Sequence, residues 1–385
     1  MVVIDALDEI EGNDQGPELI KQLIRAVSAS KGLRGLKFFV TSRPHPRIKT
    51  ECDSIERNAV YHLEELAPDE AIEDVRRFVN AELGDLSCER REKIVTNSAG
   101  LFIYAATVAR YVCPPKPKPK PSPIQQAKRL DDLEKTDFSS VEPESTPELI
   151  ITSLYKALIS DVFDHVGQEV KTSKRVLYAI VITRWPLTVL DLVPLIFDAG
   201  DKENKIAVEN SLSLFYAVLY VSPRDQCIYT FHKSFTDFIL DPNRSPELAN
   251  PAASYFRDRT YDCFRIMNES LRFNMCNLAS SFLLDEDDEG LPERVKSNIG
   301  SELRYACRHW AAHLASVRHD RHPRQEDVQL AGLLLKFYNL KVFSWMETMD
   351  LLKLDCRLAI HMARSWALQV CLYNKYFQCS IFTKN

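Results

Sequence analysis

Val2-Val3-Ile4-Asp5-Ala6-Leu7-Asp8-Glu9 opens the chain with three apolar residues and then sets three carboxylates within five positions. Apolar β-branched residues running into acid are the pattern of a buried parallel strand whose C-terminal end carries function. From Pro17 to Ser30, Leu19, Leu23, Ile24 and Val27 recur at helical spacing on one face. Lys37-Phe38-Phe39-Val40 then reads as a second strand, stopped by Thr41-Ser42-Arg43-Pro44. Strand, helix and strand within about forty residues follow the βαβ grammar of a parallel sheet. A third short strand is expected at Ala59 to Leu63. A helix should follow from Pro68 through Leu83, with proline at its first position.

The rest of the chain reads as helical. Leu101 to Val112 is apolar nearly all round, which predicts a buried helix. Pro114 to Pro123 holds six prolines in ten residues and reads as an extended, solvated spacer. Helices resume near Pro147. Val176, Leu177, Ile180 and Val181 share a face that ends at Trp185-Pro186, and Leu187 to Phe197 and Ser211 to Leu219 follow as two more helices. Leu219 to Val221 and Cys227 to Phe231 flank the turn-rich Ser222 to Gln226, giving a hairpin. Three helices and a hairpin are the layout of a winged helix. Ser254 to about Trp366 is a series of amphipathic helices without a fixed-period repeat, clearest from Ile299 to Val317. Cys371 to Asn385 is aromatic-rich and has no periodicity.

Composition removes several function classes. A formal net charge of -5 leaves no basic footprint for nucleic acid. The stretch Val208 to Val218, which would be the recognition helix of a DNA-binding winged helix, carries Glu209 and no lysine or arginine. Ten cysteines stand singly with no C-x-x-C pair, the usage of free thiols in a reducing cytoplasm. No apolar run approaches a membrane span, and the N-terminus lacks a signal peptide's basic start. No G-x-S-x-G elbow of a serine hydrolase occurs. His309, His313, His319 and His322 fall within fourteen residues, yet His309-Trp310-Ala311-Ala312-His313 lacks the glutamate that a zinc peptidase needs. A metal site is not the preferred reading there.

A strand that delivers a carboxylate at its tip is how P-loop NTPases hold magnesium. With small Ala6 and the acids Asp8 and Glu9, the opening stretch resembles the extended Walker B motif of NACHT domains. The resemblance implies that Asp5 is the magnesium carboxylate and that Asp8 or Glu9 orients or deprotonates the attacking water. Phe38 to Pro44 resembles the sensor segment of the same proteins, which implies that Arg43 approaches the terminal phosphate; a planar, permanently charged guanidinium suits that task. Thr230-Phe231-His232-Lys233-Ser234-Phe235-Thr236-Asp237-Phe238 resembles the family's winged-helix histidine motif, implying that His232 contacts the β-phosphate of ADP. Gly100-Leu101-Phe102 stands in place of a glycine-leucine-proline segment near adenine, with Phe102 replacing the proline. Leu303 to Trp310 and Phe343 to Glu347 resemble the helical region that follows the winged helix in fungal NACHT proteins. The likeness spans Val2 to Leu352.

The resemblance implies a mainly α fold with a partial α/β P-loop NTPase sheet, a helical subdomain, a winged helix and a C-terminal helical region. Its expected boundaries are 1–66 for the partial nucleotide-binding domain, 67–112 for the helical subdomain and 113–145 for the linker. The winged helix follows at 146–242 and the helical domain at 250–366, with 367–385 unassigned. The implied function is that of a signal-transducing NTPase using ATP or ADP with magnesium as a conformational switch in fungal self/non-self recognition or innate immunity. None of the 11 glycines is followed by lysine, so no Walker A loop is present. The chain is therefore expected to be a piece of such a protein that binds no nucleotide by itself. In the family's sheet the strand before that loop lies beside the sensor strand. Without it, unpaired backbone groups at about 1–3 kcal/mol each leave residues Met1 to Leu66 poorly stable alone. The alternative expectation is a non-catalytic helical module that binds full-length relatives, with protein partners and neither nucleic acid nor membrane.

Overall fold

Val2–Ile4 (β1) and Phe38–Val40 (β2) pair in parallel, Val2 facing Phe38, Val3 facing Phe39 and Ile4 facing Val40. These strands belong to a computed structural model that describes residues 1–7, 10, 15–29, 37–42, 46–52, 68–116, 118–135, 146–166, 170–197, 202–280, 282–317 and 325–373. Between the strands runs α1 (Gln15–Ala29), and α2 (Pro46–Cys52) follows. Leu7, Ile20 and Ile48 form the buried centre, with Ile4, Leu19, Ile24 and Val40 packed around it. A Cβ on Gly16 would lie 2.6 Å from the Leu7 carbonyl oxygen, so glycine is what lets α1 begin against the turn after β1. Parallel strands are ordinarily covered on both faces. Here Val3 and Phe39 remain 57% and 58% exposed, and among the described residues β2 pairs with β1 alone. The third strand expected at Ala59 to Leu63 lies outside the described residues.

Met1–Ala71 forms one compact unit and Ile72–Asn385 another. The second begins within α3 (Pro68–Glu82), which opens on proline as its sequence predicts. In α4 (Cys88–Ser98) the Ser87 side chain caps the N-terminus, and Ala99 and Gly100 close the helix at φ of 46° and 80°. The eleven residues of α5 (Phe102–Val112) include eight buried ones, as an all-round apolar pattern requires.

Among its described residues the proline-rich stretch forms no helix or strand before Pro123. It is exposed at Pro115, Lys116, Pro119, Lys120 and Ser122, as a solvated spacer would be, but it is tied to the fold at several points. Pro114 is buried, Lys118 donates to the Ser213 carbonyl at 2.6 Å and sits over the Tyr216 ring, and Lys120 pairs with Asp85 at 2.7 Å. A helix, α6 (Pro123–Lys135), then occupies residues read as linker. Its start is a capping box: Ser122 N–H donates to Gln125 Oε1, and Gln125 N–H donates back to Ser122 Oγ.

Next come α7 (Pro147–Val166), α8 (Val170–Ile182), α9 (Val189–Ile196) and α10 (Lys202–Leu214). Thr188 and Asp191 form a reciprocal capping box at the start of α9. The helix expected to reach Leu219 ends at Leu214, because Phe215 to Val218 turn the chain into an antiparallel hairpin. That hairpin joins β3 (Leu219–Val221) to β4 (Ile228–Thr230), with Leu219 opposite Thr230. After it stand α11 (Lys233–Leu240), α12 (Pro246–Ser270), α13 (Leu291–Asn298), α14 (Ser301–Ser316), α15 (Gln325–Leu340), α16 (Val342–Leu351) and α17 (Arg357–Tyr373). The last helix runs past Trp366, where the amphipathic pattern was expected to end.

Two apolar clusters hold this unit. One joins α3 to α7 with α11; the other runs from α8 through α12 and α14 to α17. At the centre of the second, Trp310 and Trp345 meet edge-on at 5.8 Å with Phe264 and Phe337 beside them, and Trp345 donates its indole N–H to the Cys307 carbonyl. The C-terminal carbonyls of α9 are met by three guanidinium groups: Arg175 of α8 on Ile196, and Arg259 and Arg265 of α12 on Leu195 and Pro194. Helix C-termini leave such carbonyls without intrahelical partners and favour positive charge. The described fold is mainly helical with two short strand pairs, and none of its helices is long and apolar enough to cross a membrane.

Candidate functional site

Asp5 follows β1 by one residue and Thr41 follows β2 by one, so the parallel register brings them side by side at the C-terminal ends of the strands. The Thr41 hydroxyl donates to Asp5 Oδ1 and accepts the Ala6 N–H at 2.9 Å. Backbone bonds continue the ladder beyond the strands, Thr41 N–H to the Ile4 carbonyl at 2.9 Å and Leu7 N–H to the Thr41 carbonyl at 2.8 Å. Ala6 turns the chain with φ of 52°, in the left-handed region that costs a side-chain-bearing residue energy. A small residue at this position reduces that cost. The outcome is an exposed carboxylate held in one orientation by a hydroxyl that is itself oriented by a backbone N–H.

Asp8, Glu9 and Arg43 lie outside the described residues. Thr41 is the member of this cluster to which the sequence reading gave no role. Its signal was a hydroxyl one place past the second strand, matching Asp5 one place past the first.

His232 is the N-cap of α11, with φ of −155°. Its Nδ1 accepts the Ser234 N–H at 3.1 Å and lies 2.7 Å from Ser234 Oγ, which in turn is 2.8 Å from the Tyr155 hydroxyl. A neutral imidazole that accepts at Nδ1 carries its proton on Nε2. Burial raises the Tyr155 phenol above its usual range, so it stays a neutral hydrogen-bonding group. Phe231 is fixed by the Arg110 guanidinium 4.1 Å from its ring centre, and Arg110 donates to the Ala217 carbonyl and to Thr107. Burial lowers the Arg110 pKa. Phe235 and Phe238 pack on Tyr155. The motif is thus a packed corner whose exposed member is the histidine. Asp5 and His232 belong to different compact units.

Phe102 packs tilted against Phe78, ring centres 4.7 Å apart, while staying half exposed, at the first position of α5. His309 and His313 belong to the core of α14: His313 Nε2 meets the Tyr305 hydroxyl at 2.7 Å, and burial holds the His309 pKa down at about 4. His319 and His322 lie outside the described residues. Among the described residues no group of three or more His, Cys, Asp or Glu side chains is placed to hold a metal ion. Among the described residues, one cavity of about 210 Å³ is lined by Trp185, Leu187, Leu192, Ile228 and Thr236, and another of the same volume by Arg175, Tyr255, Asp258, Arg259 and Asp262. Both are smaller than the roughly 300–1,000 Å³ of ordinary ligand pockets. In the second, two carboxylates offset two guanidinium groups, so it has no net charge with which to select an ion.

Compared with known proteins, the chain matches no family model, no curated protein and no solved structure.

Proposed function

We propose that the chain carries the magnesium strand, sensor strand, winged helix and helical region of a NACHT-type signal-transducing NTPase. The observation that supports this most is Asp5 beside Thr41 at the C-terminal ends of two parallel strands. That is where open α/β sheets bind their ligands. In this reading Asp5 holds magnesium together with water, as a single carboxylate suits that ion. Asp8 and Glu9 serve the attacking water, and Arg43 meets the terminal phosphate. His232 offers its Nε2 proton to the β-phosphate of ADP, and α8 to α10 with the β3–β4 hairpin are the winged helix. The bound nucleotide would supply the switch in fungal self/non-self recognition or innate immunity.

Because no glycine of the chain precedes a lysine, calorimetric titration of the 385-residue protein with Mg-ATP should be silent. Micromolar affinity would overturn that expectation. The family reading itself is tested by translating the genomic DNA upstream of Met1. An in-frame G-x-x-x-x-G-K-[ST] is expected, and the longer protein should bind ADP more weakly after Asp5→Ala or His232→Ala. An upstream frame without that motif would sink the reading.

A second reading, a non-catalytic helical module that binds full-length relatives, draws on the unit Ile72–Asn385, whose two apolar clusters are built without β1 or β2. Pull-down with a P-loop-bearing relative separates the two: capture that survives Asp5→Ala and His232→Ala favours the module.

A further inference from the structure

Residues 271–275 form a strap along α16. Lys341 donates to the Leu271 carbonyl at 2.6 Å, and the Glu347 carboxylate accepts the N–H groups of Asn274 and Met275, each at 3.2 Å. Phe273 and Phe343 each lie between those two anchor points, one on the strap and one on the helix, and they are 88% and 83% exposed. Phe282 is 96% exposed three residues before Asp285, and Asp285 pairs with Lys353 just past the end of α16, so a third anchor follows Lys341 and Glu347 along that helix. Phe273 stands on a loop braced by charge-assisted bonds, and Phe343 on the helix to which that loop is braced. Single exposed apolar residues are ordinary, but several large ones collected on a fixed surface mark an interaction site.

The rim says what kind of partner fits. Asp285, Glu286, Asp287, Asp288 and Glu289 follow directly on Phe282-Leu283-Leu284. Lys353 answers Asp285 and Arg294 answers Asp288 at 2.7 Å. With Arg272, Lys341 and Glu347 counted as well, carboxylates outnumber cations around the strap and residues 285–289 by six to four. Aromatic rings alone would also suit a lipid surface, but a run of carboxylates is repelled by anionic headgroups. It attracts lysine and arginine.

We propose that the Phe273–Phe343–Phe282 strip, with its acidic rim, docks a basic amphipathic helix of a protein partner. Apolar residues of that helix would cover the rings and its lysines or arginines would meet residues 286–289, the helix-in-groove mode of recognition. The test is fluorescence anisotropy of the full chain with a labelled amphipathic Leu/Lys helix and its Leu/Glu counterpart. The Leu/Lys peptide should bind and the Leu/Glu peptide should not. Phe273→Ser with Phe343→Ser should weaken binding about tenfold or more. Glu286→Gln, Asp287→Asn and Glu289→Gln together should weaken it and flatten its salt dependence. All five side chains are on the surface, so thermal melting should be unchanged in both variants. Binding indifferent to either variant overturns the proposal. So does a wild-type dimer that the phenylalanine variant dissociates, which would assign the strip to a second copy. Anionic vesicles that bind the wild type and lose the same variant would assign it to lipid and likewise overturn it.

Discussion

Among the described residues around β1 and β2, Leu7, Ile20 and Ile48 form the buried centre, and Val3 and Phe39 face water. Around α14, Trp310, Trp345, Phe264 and Phe337 lock edge to face inside a core that extends from α8 to α17. Asp5, proposed above as the magnesium carboxylate, sits in the region with fewer buried side chains among the described residues. Buried apolar area supplies most of the stability of a fold, so the parts of this chain that suggest function and the parts that hold it together are different parts. With Val3 and Phe39 exposed on their strands, β1 and β2 are expected to open locally at lower cost than α14.

Three substitutions probe this contrast. The largest effect belongs to Trp345→Ala, which removes an indole from the packed core and its bond to the Cys307 carbonyl. It should destabilise the helical unit by about 3–5 kcal/mol in a denaturant titration. If the loss were under about 1 kcal/mol, the core would be plastic and the contrast between the units would weaken.

Acid comes second. Burial holds His309 at about 4 and His313 well below the usual histidine value. A histidine whose folded pKa is depressed takes up its proton in the unfolded chain first. Its contribution is therefore present above about pH 6.5 and is lost as pH falls towards 4. Between pH 6.5 and 5, stability due to His309 should drop by about 1.5 kcal/mol. Burial raises Asp258 and Asp262, which push the other way, since a raised carboxyl favours the folded state at low pH. The informative measurement is hence the difference between wild type and His309→Gln. Parallel pH profiles for the two would rule out this account of His309.

The smallest effect is Thr41→Val, which strips the hydroxyl from Asp5 and from the Ala6 N–H. A loss of about 1 kcal/mol should speed hydrogen exchange at the Ala6 amide by about fivefold. The amides of Val2 to Ile4 and Phe38 to Val40 should exchange faster than those of α14 even in the wild type. Equal protection in both regions would erase the contrast.

Local pattern carried much of this architecture. Three apolar residues ending in acid mark β1, helical spacing marks α1, and an all-round apolar run marks the buried α5. What it missed depended on partners distant in sequence. The end of α10 at Leu214 is set by pairing of Leu219 with Thr230, which the apolar run from Leu212 to Leu219 does not reveal. The start of α6 was legible after all, in Ser122-Pro123 followed by Gln125, but the density of prolines before it masked the capping box. Thr41 acquires its place only once the register of β1 on β2 is known. His309 and His313 show the reverse: a spacing suited to metal proves to be a face of α14 packed on Tyr305.

The guanidinium groups of Arg175, Arg259 and Arg265 on the last carbonyls of α9 have a mechanical consequence. Sliding α12 along α9 by a single residue, about 1.5 Å, would leave two of those groups and their carbonyls mismatched at once. Helices α8, α9 and α12 are in effect riveted together. Any hinge in this half of the molecule must bend outside that block, which would swing as one lever arm.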